Sequence, residues 1–297
     1  MTPPNPPFAT EIRPYGKAAI DAAARLVLSG QPVAVPTETV YGLAADATSG
    51  EAVARIYEAK GRPSFNPLIV HVLAVADAEA IALFDDTARA LAARFWPGPL
   101  TLVLPLKPDG GIASLVTAGL PTIAVRSPAH PAMRDLLEAV GRPLAAPSAN
   151  ASGRISPTRA AHVAASLDGS IPLIIDGGPT AHGIESTIVA ATEGKLRLLR
   201  PGPLTDLGFP ILDNLSGAIE APGQMASHYA PLKSLRLEAR EARAGEWLVG
   251  FGAIAGDSSL SRSGDLVGAA AALVDRLDEG EAADRPPIAV ARGPDEG

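Results

Sequence analysis

From Lys17 to Leu199, short apolar runs alternate with Ala-rich stretches of helical period, and this alternation does most to narrow the choice of fold. Short strands must pair into a common sheet, and the amphipathic stretches between them must cover it, so the pattern predicts a mixed α/β architecture. Lys17 to Ser29 carries apolar residues at helical spacing, with Gly30 where a C′ residue falls, which predicts a first helix. A strand over Val33 to Val35 follows. Ser49 stands as an N-cap before a helix of Glu51 to Lys60, and Gly61 ends it where a left-handed residue is wanted. Further strands are expected at Leu68–Val72, Thr101–Leu104, Thr122–Arg126, Leu144–Ala146, Leu173–Ile175, Thr187–Ala190 and Leu196–Leu199, and helices at Asp86–Phe95, Pro131–Gly141 and Thr158–Leu167.

Composition excludes several classes of protein. The chain has 47% hydrophobic and 19% charged residues, a globular balance, and its 29 glycines and 29 prolines predict many tight turns. It has no cysteine, which rules out disulfides, thiolate metal sites, iron–sulfur clusters and a cysteine nucleophile. The opening MTPPNPPFATEIRP has neither a basic start nor an apolar core, and no apolar run approaches the roughly 18 residues of a membrane span, so a cytoplasmic protein without membrane association is expected. With 25 Lys+Arg against 32 Asp+Glu the net charge is −7, which argues against a dedicated nucleic-acid binder.

Residues 201 to 232 are punctuated by Pro201, Pro203, Pro210, Pro222 and Pro231 and read as a linker. A second unit starts near Lys233, with one expected strand (Trp247–Phe251) and one helix (Asp265–Leu277). It is thin enough to need support from the first unit.

Known chemistries fall away on inspection. The chain has no G-x-S-x-G elbow, no H-E-x-x-H and no P-loop frame. Gly250-Phe-Gly252-Ala-Ile-Ala255 fits the loose dinucleotide pattern, but Gly256, Asp257 and two serines follow where a helix should start, so it reads as a tight turn. The informative stretch runs from Pro36 to His71, where hydroxyls end a strand and Lys60 and Arg62 straddle Gly61 at a helix end. That pair either converges on a polyanion or neutralises the helix dipole. His71 lies in an apolar strand, as a structural histidine or a ligand of the site. Pro147-Ser148-Ala149-Asn150 leaves a strand in a small-residue turn suited to phosphate or nucleotide, or serves only as a turn. Arg126 closes its strand as a carboxylate clamp or a surface charge. Ser156-Pro157-Thr158 reads as a helix N-cap, Gly183-Ile-Glu185-Ser186-Thr187 as a glycine-bracketed loop entering a strand, and Arg200 as a cation ending the next one.

Taken in order, PTETVYGL, the Lys60-Gly-Arg62 pair, NPLIVHV, the SAN turn, GIESTIV and LLRPG resemble the YrdC-like threonylcarbamoyl-AMP synthases in their longer, two-domain form. The resemblance implies a twisted mixed sheet with flanking helices and a concave site over residues 11–205, a linker over 206–232, and a small C-terminal α/β domain over 233–297 that looks short for the family. It implies ATP-dependent synthesis of L-threonylcarbamoyl-AMP from L-threonine, bicarbonate and ATP, with Mg2+ on the triphosphate and loss of pyrophosphate. The product would feed a downstream tRNA-modifying transferase complex, and so tRNA indirectly. Lys60, Arg62, Ser148 and Asn150 match the family's K-x-R and S-x-N tetrad. Arg62, Asn66, Thr122, Ser148, Ser156, Arg200 and Tyr229 would contact ATP. Thr39, His71, Arg126, Ser186 and the backbone of Ala146 would hold threonine, with Arg126 gripping its carboxylate. A site rich in cations and poor in paired carboxylates is expected, because a carbamate oxygen needs no side-chain base to attack phosphorus. His228 and Tyr229, in the Pro-bounded linker, would close over the pocket. Two other readings fit less well: a non-catalytic binder of structured RNA, which the acidic charge opposes, and carbamoyl-adenylate transfer to another acceptor, whose known enzymes carry Cys-rich zinc fingers.

Overall fold

The structure is a computed structural model that describes residues 8–61, 66–192, 195–212, 233–285 and 287–293 of the chain. The first unit comprises β1 (Glu11–Pro14), α1 (Lys17–Leu28), β2 (Val33–Pro36), β3 (Tyr41–Asp46), α2 (Gly50–Lys60), β4 (Ile69–His71), α3 (Val75–Ile81), α4 (Asp86–Phe95), β5 (Leu100–Pro105), α5 (Ser114–Thr117), β6 (Thr122–Arg126), α6 (Pro131–Val140), β7 (Leu144–Ala145), α7 (Ala160–Leu167), β8 (Leu173–Asp176), β9 (Thr187–Thr192), β10 (Lys195–Arg200) and β11 (Ile211–Leu212). Its strands form one sheet in the order β1-β8-β2-β3-β7-β4-β6-β5-β9-β10-β11. Parallel pairs such as β4/β6 and β5/β9 alternate with antiparallel pairs such as β4/β7 and β5/β6, which makes the sheet mixed.

Local chemistry sets the helix ends. The Ser49 hydroxyl accepts from the Ala52 amide at the start of α2, and Gly61 ends that helix at φ 57. Pro131 opens α6 and Gly141 closes it at φ 67. One expectation is corrected: Ser156 does not cap a helix. α7 begins at Ala160 behind Arg159, which makes no side-chain cap, because Ser156 Oγ is bonded instead to Glu185 Oε1 at 2.6 Å.

The central strands are buried on both faces, and residues two apart point the same way. Val70, Leu102, Leu104, Val125 and Val189 join the main core under the helices. Their neighbours Ile69, Val103, Ala124, Ile188 and Ala190 form a small aliphatic floor with Leu199 on the opposite face. His71 and Arg126 extend that second face and are register partners on β4 and β6.

β3 is the main element that patterning overlooks. All six of its residues are buried, so it carries no polar alternation to read. Gly42 lies within it because a Cβ there would come 3.3 Å from Ala146 Cβ.

The second unit holds β12 (Leu235–Ala239), β13 (Trp247–Gly250), β14 (Ser258–Ser259), α8 (Leu266–Ala282) and β15 (Ile288–Ala291), an all-parallel sheet in the order β12-β15-β13-β14. The expectation of a single strand there is corrected. β12 is mostly exposed and β14 has two residues, so neither carries a buried run that periodicity can register. After β13, Phe251 and Ile254 bridge each other across a turn, and a Cβ on Gly250 would collide with the Ile254 carbonyl, so these glycines serve the backbone itself.

α8 rests on the first unit. Asp275 takes the Arg159 guanidinium at 2.7 to 3.0 Å, His162 Nε2 lies 3.4 Å from Asp278, and Ile155 packs against the cluster of Val249, Leu277, Ile288 and Val290. Among the described residues no helix is long and apolar enough to cross a membrane.

Candidate active site

A narrow recess open to solvent lies above the aliphatic floor. The β2–β3 turn brings Thr37 and Thr39 to it, β4 brings His71, β6 brings Arg126, the segment after β7 brings Ala146 and Ser148, the entry to β9 brings Glu185 and Ser186, and the end of β10 brings Arg200. Strand ends from across the sheet therefore converge on one point.

Arg126 is held from three sides. Its Nε donates to Gly98 O (3.2 Å), Nη1 to Thr39 Oγ1 (2.9 Å) and Nη2 to Glu38 Oε1 (2.6 Å). The other Glu38 oxygen accepts the amides of Ala129 (3.0 Å) and His130 (3.3 Å). Burial alone would raise the Glu38 pKa, but Arg126 and these amides overcome it and hold the carboxyl below the usual range. Thr39 Oγ1 is itself 2.8 Å from Thr37 Oγ1. Three of the five Arg126 N–H groups are thus engaged, which among the described residues leaves two for a ligand.

Arg200 repeats the design. Nε donates to Ser186 O (3.0 Å), Nη2 to Ser186 Oγ (2.9 Å), and Nη1 to Glu185. Ser186 Oγ also sits 2.8 Å from Thr101 Oγ1. Glu38 and Glu185 each form a buried ion pair with a site arginine, not a pair of carboxylates with one another. In a low-dielectric interior an arginine needs a counter-charge before any substrate arrives.

Lys60 is 3% exposed, and its ammonium donates to the carbonyls of Ser148 and Asn150, with Asn150 Oδ1 at 3.4 Å. The Ser152 amide returns a bond to Lys60 O at 2.7 Å. The end of α2 and the SAN turn are therefore clamped together. Asn150 Nδ2 closes the turn by donating to Ala151 O and Arg154 O.

His71 is buried, and burial together with the nearby Arg126 charge pushes its pKa down to about 3. It is neutral at any physiological pH. Its Nδ1 has no hydrogen-bond partner among the described residues.

Of the residues singled out in the sequence, Thr39, His71, Arg126, Ala146, Ser148, Ser186 and Arg200 line the recess, and Lys60 and Asn150 support its SAN wall. Ser156 joins through Glu185. Thr122 shares the face of Ala124 and Arg126 but lies at the far end of β6, about 13 Å from Arg126 at roughly 3.3 Å per residue. Asn66 is buried where the chain enters β4, its carbonyl accepting from Tyr57 OH at 3.0 Å. Arg62, His228 and Tyr229 lie outside the described residues. Glu38 and Glu185 are the site residues that sequence reasoning missed. Asking which anion balances each buried arginine would have found them.

A family model described as telomere recombination, covering Sua5, YciO and YrdC, matches residues 25–202. A threonylcarbamoyl-AMP synthase of Bacillus subtilis is 48% identical over 229 residues, which is 73% of this chain and 66% of that protein; one from Pyrococcus abyssi is 47% identical over 71% of this chain and 65% of its own length. The chain thus spans slightly less than two thirds of these curated relatives. The crystal structure of P. abyssi Sua5 complexed with L-threonine superposes with a TM-score of 0.86 at 36% identity, covering 97% of this chain and 93% of that one. Escherichia coli YciO, at 21% identity and a TM-score of 0.57, shares the fold over 66% of this chain and 95% of its own. With its mixed sheet, its converging strand ends and these matches, the chain belongs to the Sua5/YciO/YrdC family.

Proposed function

We propose that this chain is a cytoplasmic threonylcarbamoyl-AMP synthase that joins L-threonine, bicarbonate and ATP and releases pyrophosphate, supplying the modification of adenosine in tRNA through a downstream transferase complex. The observation that carries the reading is the Lys60 clamp on the Ser148–Asn150 turn, set against a recess walled by Thr39, Arg126 and Ser186. Cationic and small hydroxyl groups in a narrow recess suit a small hydroxylated amino acid beside a nucleotide.

In this reading the two remaining Arg126 N–H groups take the threonine carboxylate. The neutral His71 and the hydroxyls of Thr39 and Ser186 meet its polar groups, and the Ala146 main chain borders it. Ser148, Ser156, Arg200, Asn66 and Thr122 face the nucleotide, with Lys60 and Asn150 beside its phosphates. Arg62 and Tyr229 complete that set by the family resemblance. The threonine amine attacks the bicarbonate carbon, whose C–O bond to the hydroxyl breaks so that the hydroxyl leaves with an amine proton as water, and an oxygen of the resulting carbamate attacks the α-phosphorus as the bond to pyrophosphate breaks. The attacking oxygen is already anionic, so the protein's task is to offset repulsion between two anions, which fixed cations do without reorganising. Among the described residues no cluster of three or more histidine and carboxylate side chains could hold a metal, so Mg2+ would enter on ATP as part of the substrate.

Pyrophosphate release measured with each substrate omitted in turn tests the assignment. Release that requires both threonine and bicarbonate is expected. Release that ignores threonine would point to carbamoyl-adenylate chemistry on another acceptor, and salt-sensitive tRNA binding without turnover to an RNA-binding module.

A further inference from the structure

We propose that Glu38 is a positioning residue that acts through Arg126 and makes the amino-acid end of the recess selective for a carboxylate over phosphate. The proposal rests on the reading that Arg126 receives the threonine carboxylate.

Glu38 is fixed independently of its partner. Its Oε2 takes two main-chain amides from the turn before α6, and its own carbonyl accepts the His182 amide at 2.9 Å. From that anchorage Oε1 reaches Arg126 Nη2. Gly98 O comes from one segment and Glu38 Oε1 and Thr39 Oγ1 from neighbouring residues of the β2–β3 turn, and together they define the plane of the guanidinium. A bidentate grip depends on that plane, because two parallel N–H groups must meet two oxygens at once.

The pair also sets the local charge. Its side chains are 4% and 10% exposed, so solvent screens it little, and Glu38 stays ionised. With neutral His71 alongside, the Arg126 end of the recess carries no net charge. A monoanionic carboxylate can bind there through directed hydrogen bonds. A phosphate or pyrophosphate, which needs a surplus of positive charge, gains nothing from the field and meets the Glu38 carboxylate behind the guanidinium. A buried ion pair adds little stability over apolar packing of the same volume, so a positioning role accounts for its presence behind the recess that Arg126 lines.

The test uses the full chain and its Glu38→Gln and Glu38→Asp variants. Threonine Kd is read by calorimetry, ATP KM by pyrophosphate release, and competition by adding inorganic phosphate to the threonine titration. For Glu38→Gln, loss of one charge-assisted contact should raise threonine Kd about tenfold to a hundredfold. ATP KM should stay within about twofold, and phosphate should now compete with threonine. Glu38→Asp keeps the charge and should recover part of the affinity without admitting phosphate. Arg126→Lys combined with Glu38→Gln should be no worse than Arg126→Lys alone, because one acts through the other. A folded Glu38→Gln with wild-type threonine Kd, an equal loss of ATP and threonine affinity, or unchanged exclusion of phosphate would overturn the proposal. So would failure of both single variants to fold, which would make Glu38 purely structural. A wild-type chain that binds no threonine would overturn the functional reading as well, which distinguishes the two failures.

Discussion

Replacing Lys60 by methionine probes the contact on which the whole site depends. Methionine matches the length of the lysine stem but donates nothing, so the carbonyls of Ser148 and Asn150 lose their ammonium inside a site that is 3% exposed. Two hydrogen bonds from a charged donor are together worth about 3–6 kcal/mol. Relief from burying an ammonium returns part of that, leaving a net destabilisation of about 2–4 kcal/mol. For a chain of this size each kcal/mol shifts Tm by about 2–4 °C, so a fall of about 5–15 °C is expected in a thermal melt followed by circular dichroism. Pyrophosphate release at 25 °C, where the variant remains folded, should drop by more than a hundredfold, on the order of 3 kcal/mol of barrier, because the freed turn no longer presents Ser148 and Asn150. A variant that melts within about 2 °C of the wild type would refute the clamp. A variant that melts early but turns over normally would confine Lys60 to a structural role.

Ser186→Ala removes the hydroxyl that accepts from Arg200 Nη2 and meets Thr101, and it should raise threonine KM by about tenfold in the pyrophosphate assay with a smaller effect on ATP. His71 stays neutral in the fold down to about pH 3, whereas in the unfolded chain it protonates below the ordinary histidine value of 6.5. The unfolded state therefore binds the extra proton, and His71 should remove about 1.4 kcal/mol of stability per pH unit as pH falls from 6.5 towards 3. Denaturant titrations at several pH values should show that slope in the wild type and a shallower one in His71→Gln. Gly183→Ala places a Cβ 2.5 Å from Ala271 Cα in α8 and 2.6 Å from Ala270 O, at φ +70, so the second unit must shift. The expected destabilisation is about 1–3 kcal/mol, read as earlier limited proteolysis around α8; an unchanged digestion pattern would show that the helix does not rest there.

The sequence by itself determined the alternation of elements and the chemistry at their ends. Ser49 and Gly61 bracket α2 and Pro131 and Gly141 bracket α6, because caps and turns depend on neighbours within a few residues, whereas Lys60 could be set beside Ser148 and Asn150, 88 and 90 positions away, only through the family resemblance. The tertiary structure alone decided how charge is balanced. Glu38 meets Arg126 across 88 positions, and Glu185 links Ser156 to Arg200 across 29 and 15. β3 escaped notice for the same reason, since burial on both faces erases the alternation that marks a strand. Counter-ions and doubly buried strands are chosen by what lies next to them in space, and a linear pattern carries no record of those neighbours.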